Sequence, residues 1–302
     1  MNPLDPLVRE GLLRVEVELA PLTTYKMGGR ARWMLEAASE SDVVRVLAEL
    51  PDDVPVFVLG RGSNVVVSEH GFPGLVVRLG GTFLEWSVGD DGVVTAGGAV
   101  PLPVLARGTA RLGRGGLEWY VGIPGSVGGA VCMNAGCFGG DTAGALVAAR
   151  ILDVRSVAVR EADRAALDMA YRHTNVAADD LVLSARFRTE PVEPAVAEAR
   201  IREITRWRKE HQPGGTLNAG SVFKNPPGDA AGRIIDEAGL KGLSVGGASV
   251  SERHANFFVA GPDARPSDVH GLVQEVRRRV LDVAGIDLEP EVRFIGAFED
   301  RS

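Results

Sequence analysis

The sequence predicts an α+β protein of two or three domains, and three observations predict it. A chain of 302 residues is longer than one small hydrophobic core needs. Segments with the 3.6-residue apolar period of amphipathic helices stand towards the two ends of the chain, at 38–50, 195–211 and 267–285. Between residues 81 and 190, short β-type runs alternate with glycine turns around a single expected helix.

The elements follow in order. ASESDVVRVLAEL (38–50) predicts a helix: Ser39 caps it, Asp42 takes the capping-box position, and Val43, Val46, Leu47 and Leu50 form one apolar face before Pro51 stops it. VPVFVLG is a short, nearly continuous apolar strand, followed by GRGSN (60–64) and the strands VVVS and GLVVRL. TFLEWSV, GVVTAGG, ARILDVRSVAV and DLVLSARFRT read as strands, and LPVLARGTARL (102–112) as a helix. The glycine-rich stretch GLEWYVGIPGSVGGAVCMNAGCFGGD crosses this middle region, and EPVEP (190–194) reads as a linker. Beyond it, AVAEARIREITRWRKEH is a helix with Val196, Ile201, Ile204 and Trp207 facing inward. DAAGRIIDEAGL is a second, capped by Asp229 and stopped at Gly239. ASVSERHANFFVA reads as one strand. SDVHGLVQEVRRRVLDVAG is a third helix, capped by Ser267, lined by Val269, Leu272, Val273, Val276, Val280 and Val283, and ended by Gly285. LEPEVRFIGAF closes the chain as a strand. The expected units are 1–80, 81–191 and 192–290, with the strand at 291–302 a candidate to return to the second. There is no internal repeat.

Composition narrows the function. At 45% hydrophobic and 24% charged residues the chain reads as globular, and a net charge of −7 provides no basic field for nucleic acid or acidic lipid. No apolar run reaches the ~18 residues of a membrane span, and MNPLDPLVREGLL lacks the basic-then-apolar signal pattern, so a cytoplasmic protein without membrane insertion is expected. Cys132 and Cys137 have no histidine partners at metal-ligand spacing, so no metal site is expected, and they read as buried thiols in a reducing compartment. The only lysines are Lys26, Lys209, Lys224 and Lys241, so a lysine here marks either a place that wants a compact point charge or an ordinary surface loop.

Two glycine-rich loops are candidates for close approach to a ligand. VFVLGRGSNVVV is a poor dinucleotide fingerprint, because Val65, Val66 and Val67 favour strand where that motif needs a helix, and it is no P-loop, because no GK[ST] follows. What remains is a strand–turn–strand element, either a plain β-hairpin turn or an anion nest of successive N–H groups, with Ser63 and Asn64 adding donors. GIPGSVGGA (122–130) is either a tight structural crossing or a second approach to the same ligand, and NAGCFGGD (134–141) adds a third glycine-rich loop.

The set TTYKMGG (23–29), GRGSN, GIPGSVGGAVCMNAG (122–136), YR (171–172), NAGSVFKNP (218–226) and LEPEVRFIG (288–296), in that order, resembles the UDP-N-acetylenolpyruvoylglucosamine reductases, the MurB family of UDP-N-acetylmuramate dehydrogenases. The resemblance implies an FAD-binding fold of the vanillyl-alcohol-oxidase (PCMH) type in two subdomains, with a smaller α+β substrate-binding domain. It implies noncovalent FAD, NADPH as reductant, and UDP-N-acetylglucosamine enolpyruvate as substrate in peptidoglycan synthesis. By resemblance FAD is held by Thr24, by Gly60, Arg61, Gly62, Ser63 and Asn64, by Gly122, Ile123, Pro124, Ser126, Gly128 and Gly129, and by Asn134 and Gly136. Arg172 and Glu291 map onto the family's stabilisers of the developing aci-carboxylate, and Ser221 onto its proton donor. Tyr171, Lys224 and Asn225 map near the substrate. Where the family often has YRxSxF this chain has YRHTNV, which changes the packing behind Arg172 and leaves His173 an unsupported candidate base. The stretch from Arg172 to Ser221 is too short for the tyrosine-bearing insertion of one subclass. Two other readings stand beside this one: another FAD-dependent oxidase or dehydrogenase of the same fold, acting on a small alcohol or hydroxy acid, which does not require NAGSVFKNP or EPEVRFIG; and a non-catalytic nucleotide-binding module, which does not require Ser221, Arg172 or Glu291. The oligomeric state is not encoded in any of these motifs.

Overall fold

The structure, a computed structural model, describes residues 3–299. The chain divides into two compact units. One comprises the described residues up to Val15, Trp33–Arg61 and Gly74–Arg208; the other comprises Glu16–Arg32, Gly62–Pro73 and Lys209 onward.

In the first unit the helix Glu40–Ala48 starts with the expected capping box. Ser39 Oγ accepts the Asp42 N–H at 3.4 Å and the Asp42 carboxylate accepts the Ser39 N–H at 2.9 Å. Its buried Val43, Val46 and Leu47 share a core with Leu35, Leu75 and Val77. These last come from a four-stranded sheet ordered Leu13–Glu18, Arg30–Ala37, Phe72–Leu79, Val56–Val58, whose final pair is parallel. A second, fully antiparallel sheet runs Ala158–Asp163, Leu146–Asp153, Leu181–Phe187, Val94–Gly97, Trp86–Val88. It shares a core with Leu102 and Leu105 of the helix Leu102–Arg111 and with Ile201 and Ile204 of the helix Pro194–His211.

Several expectations are corrected here. TFLEWSV is only half strand: Gly81–Leu84 is a 3₁₀ turn, because the Thr82 N–H bonds back to the Ala38 carbonyl. ARILDVRSVAV breaks into two paired strands where the Asp153 side chain accepts the N–H groups of Arg155 and Ser156 and makes a turn. GRGSN does not close a hairpin: Val56–Val58 pairs with Phe72–Leu79, whereas Val65–Val67 pairs in parallel with Arg293–Ile295. The end of GIPGSVGGA opens a short helix, Val127–Met133, that glycine propensity argues against; Ser126 caps it and Asn134 ends it in the left-handed conformation. In Pro194–His211 the inward stripe is Ala197, Ile201 and Ile204; Val196 is 61% exposed, and Trp207 is partly exposed while its ring meets Phe138 edge-on at 5.1 Å. Neither cysteine forms a disulfide, and both are half-buried rather than buried.

The second unit is built around the helix Pro266–Ala284. Its Val269, Leu272, Val273, Val276 and Val280 are fully buried, each worth about 1.5–3 kcal/mol of apolar burial. Val283 is 72% exposed, beyond the packed face. Pro266 starts the helix, so Ser267 lies inside the first turn and is not the cap: its N–H goes to Glu69 Oε1 at 2.8 Å, and Asp268 takes the Arg265 N–H. Gly285 ends the helix at φ 67° as expected. The shorter helix Ala231–Glu237 is not capped by Asp229, which pairs with Arg233; its first N–H is accepted by Asn225 Oδ1 at 3.0 Å. ASVSERHANFFVA forms two strands, Ala248–Val250 and Phe258–Ala260, joined by a turn and paired with Ser244–Val245 in one antiparallel sheet. The final strand is Arg293–Ile295; residues 300–302 of that expected segment lie outside the described residues. Tyr25, Phe223, Phe258, Ile235 and Leu288 fill the core beside the long helix.

Candidate active site

In the first unit Arg172 occupies a left-handed position, φ 52°, in a turn closed by Ala170 and His173, each N–H donating to the other's carbonyl. Its guanidinium donates to the Gly136 carbonyl at 2.8 Å and the Asn134 carbonyl at 3.5 Å, and lies 5.1 Å from the centre of the exposed Tyr171 ring. Asn134 is buried, with both ends of its amide engaged: Nδ2 donates to Ala170 O at 2.7 Å and Oδ1 accepts from Ala143 N at 2.9 Å. NAGC thus holds the turn that carries Arg172. Thr174 Oγ1 donates to Cys132 O at 2.9 Å and Val176 packs on the core, so the departure from YRxSxF is filled locally. His173 is exposed, 3.7 Å from Asp168.

Two of the glycine-rich loops abut in this unit: a Cβ on Gly60 would stand 2.8 Å from Ser126 Oγ. The N–H groups of Ile123, Val127 and Gly128 are already engaged by the carbonyls of Tyr120, Val100 and Gly98, and that of Gly129 by Ser126 Oγ. Gly122 and Pro124 flank this stretch, half-buried and exposed. GRGSN differs. Among the described residues, no protein acceptor takes any of the N–H groups from Gly60 through Arg61, Gly62 and Ser63 to Asn64. Gly62 is left-handed, φ 62°, and the Leu22–Thr23 backbone lies against its Cα, so no side chain fits. Its carbonyl accepts both Thr24 N–H, at 3.0 Å, and Thr24 Oγ1, at 3.3 Å.

In the second unit Ser221 and Glu291 are brought together by backbone pairing. The Val222 carbonyl accepts the Glu291 N–H at 2.7 Å and the Val292 N–H at 3.3 Å, while Ser221 bridges to Phe257. Among the described residues nothing bonds the half-buried Ser221 hydroxyl. Asn64 Nδ2 donates to the Glu291 carbonyl at 2.9 Å, and the Asn64 carbonyl accepts the Arg293 N–H at 3.0 Å. Lys224 has a partner: its Nζ lies 2.6 Å from Glu289 Oε1, and its N–H bonds the Glu289 carbonyl at 2.9 Å. Asn225 is exposed beside the helix start it bonds.

Burial sets the electrostatics. It pushes the Cys137 thiol up to about 11 against the charges of Arg208 and Arg172, and Cys137 Sγ donates to the Trp119 carbonyl at 3.1 Å. Burial also holds Arg208 below its ordinary value, lowers His254, and raises the phenols of Tyr25 and Tyr120. No motif in the sequence marks a role for Glu289 or Asn256. The signal for Asn256 was a single asparagine in the apolar run HANFFVA; for Glu289 it was the second acid in EPE.

A family model described as FAD binding domain matches residues 31–159, and one described as UDP-N-acetylenolpyruvoylglucosamine reductase, C-terminal domain, matches residues 212–295. The UDP-N-acetylenolpyruvoylglucosamine reductase of Paramagnetospirillum magneticum is 41% identical over 97% of this chain and 95% of its own length. The chain belongs to the UDP-N-acetylenolpyruvoylglucosamine reductase family. The enzyme of the same name from Caulobacter sp. is 42% identical over 96% of the chain and 97% of its own. The crystal structure of the MurB enzyme from Thermus caldophilus superimposes with a TM-score of 0.82 at 37% identity, covering 94% of this chain and all of that one. A glucose dehydrogenase, Phl p 4.0202, shares the fold alone, with a TM-score of 0.50 at 13% identity over 70% of this chain and 50% of its own. The expected α+β FAD-binding fold therefore stands, and FAD is the cofactor of this reductase. The unfilled N–H groups of GRGSN fit a diphosphate, since consecutive donors around a left-handed glycine make an anion-binding concavity.

Proposed function

We propose that the chain reduces the enolpyruvyl ether of UDP-N-acetylglucosamine to UDP-N-acetylmuramate with NADPH, in cytoplasmic peptidoglycan precursor synthesis, and that it belongs to the subclass without the tyrosine-bearing insertion. The hydride relay from NADPH to the substrate is supplied by bound FAD. Gly60 to Asn64, with Thr24 behind them, would hold its diphosphate, and the resemblance assigns the loops 122–129 and 134–136 to the same cofactor. Hydride arriving at C3 of the enolpyruvyl group leaves negative charge on C2 and its carboxylate. Arg172 supplies the fixed cation for that charge, and Glu291 a hydrogen bond through a shared proton. Ser221 delivers the proton to C2; a hydroxyl is a weak acid and suits only a strongly basic centre of this kind. Tyr171 contacts the substrate, and Asn225 and Lys224 serve its UDP or hold the serine loop, Lys224 from within its pair with Glu289.

The observation that carries this reading is the pairing of NAGSVFKNP with EPEVRF, which sets the unbonded Ser221 hydroxyl one residue from the carbonyl that takes the Glu291 N–H. Purified protein should be yellow, bleached anaerobically by NADPH and recoloured by the enolpyruvyl sugar nucleotide. Bleaching with no recolouring by that substrate would sink the proposal.

A further inference from the structure

We infer that Asn256 is the positioning residue for Ser221, an inference that rests on the reductase reading above. Asn256 is 3% exposed and stands in the turn between the strands Ala248–Val250 and Phe258–Ala260. Its side chain acts on Phe223 as a neighbouring strand would: Oδ1 accepts the Phe223 N–H at 2.9 Å and Nδ2 donates to the Phe223 carbonyl at 2.8 Å. Its own carbonyl accepts the Val222 N–H at 2.9 Å, and the next residue, Phe257, bridges to Ser221. Ser221, Val222 and Phe223 are therefore templated in succession by Asn256 and Phe257. The amide orientation is fixed by its partners, because only the oxygen can face an N–H and only the NH₂ can face a carbonyl.

The Ser221 hydroxyl has no partner of its own among the described residues, so its place is set by its backbone, and Asn256 holds the backbone next to it. The same segment presents the Val222 carbonyl to Glu291. Loosening Asn256 therefore moves the proton donor and the register of the carboxylate strand together. Asn256 is itself steadied from behind, its N–H donating to His254 Nδ1 at 3.2 Å. Aspartate would keep the shape and the acceptor but set an oxygen against the Phe223 carbonyl, and alanine would remove both bonds in a place closed to water.

The test uses full-length, FAD-loaded Asn256→Asp and Asn256→Ala; if the alanine variant does not fold, the aspartate variant carries the test. The expected result is normal FAD content and normal bleaching by NADPH, with substrate-driven reoxidation slowed roughly 100-fold, the scale of a misplacement near 1 Å. Hydrogen–deuterium exchange should quicken at 221–223 and 291 while the Leu146–Asp153 strand stays unchanged. Adding Ser221→Ala to Asn256→Asp should slow reoxidation no further than Ser221→Ala alone, because both remove one function. Unchanged exchange at 221–223, normal reoxidation, or fully additive losses would overturn the inference. Wild-type protein that NADPH bleaches but the substrate does not reoxidise overturns the reductase reading itself; wild type that turns over alongside equally fast Asn256 variants overturns this inference alone.

Discussion

Gly62→Ala tests the cofactor loop most sharply. Gly62 lies at φ 62°, where an L-residue carries about 1–2 kcal/mol of strain. A methyl group there would also press on the Leu22 carbonyl and Thr23 Cα, which are backbone and cannot rotate away. The Gly62 carbonyl would then shift from the Thr24 N–H and hydroxyl, forfeiting up to two hydrogen bonds of about 0.5–1.5 kcal/mol each. Gly239 supplies the control. It sits at φ 70° with nothing within 4 Å of the place a methyl would take, so Gly239→Ala carries the strain alone. The difference between the variants, about 1–3 kcal/mol, should reach FAD affinity because the displaced segment is the one whose N–H groups are unfilled. At about 1.4 kcal/mol per decade this is roughly 5- to 150-fold weaker FAD binding for Gly62→Ala, with near-normal binding for Gly239→Ala. Titration of apoprotein with FAD, followed by flavin fluorescence, measures it. Equal FAD affinity in the two variants would show that the Gly62 turn does not shape the FAD-binding loop.

Three further outcomes are expected. Arg172→Lys should keep flavin reduction by NADPH yet slow substrate reoxidation by about 100-fold in stopped-flow, because one ammonium cannot both bond Gly136 and Asn134 and present a planar fork. Stability should fall as pH rises from about 8.5 towards 11 in thermal melts. The Cys137 thiol has its folded value raised to about 11, so its contribution is complete below the unfolded thiol value and is lost as pH passes through 11; the buried Tyr25 and Tyr120 act in the same direction at higher pH. Lys224→Met should cost only about 0.5–1 kcal/mol in denaturant unfolding, because Glu289 is 68% exposed and water screens the pair.

Local signals in this sequence were reliable where one segment decides its own structure. Ser39 and Asp42 made their capping box, and Leu272, Val273 and Val276 were buried on the helical stripe that periodicity marks. Cap signals fail where a residue has a competing partner: Arg233 holds Asp229, and Pro266 begins the helix before Ser267. Pairing was not legible. Val65–Val67 looks like the return strand of GRGSN, yet it pairs with Arg293–Ile295 more than two hundred residues later, and nothing in a valine run encodes its neighbour. The same holds for TTYKMGG, whose Tyr25 donates its buried hydroxyl to the Phe258 carbonyl at 2.9 Å. At the site, motif order points to candidate residues, whereas the contacts that hold those residues come from distant segments and leave no local signal. Asn134 and Gly136, which the resemblance assigns to the cofactor, hold the Arg172 turn. Asn64, a candidate donor to the cofactor, bonds the Glu291 carbonyl with its side chain.

The central claim is that Ser221 delivers the proton in the second half-reaction. The most direct measurement is anaerobic stopped-flow on Ser221→Ala, recording bleaching by NADPH and reoxidation by the enolpyruvyl sugar nucleotide separately. Bleaching should be unchanged and reoxidation slowed by at least about 100-fold, the low end for loss of a positioned proton donor. Reoxidation at the wild-type rate, or an equal loss in both phases, would contradict it.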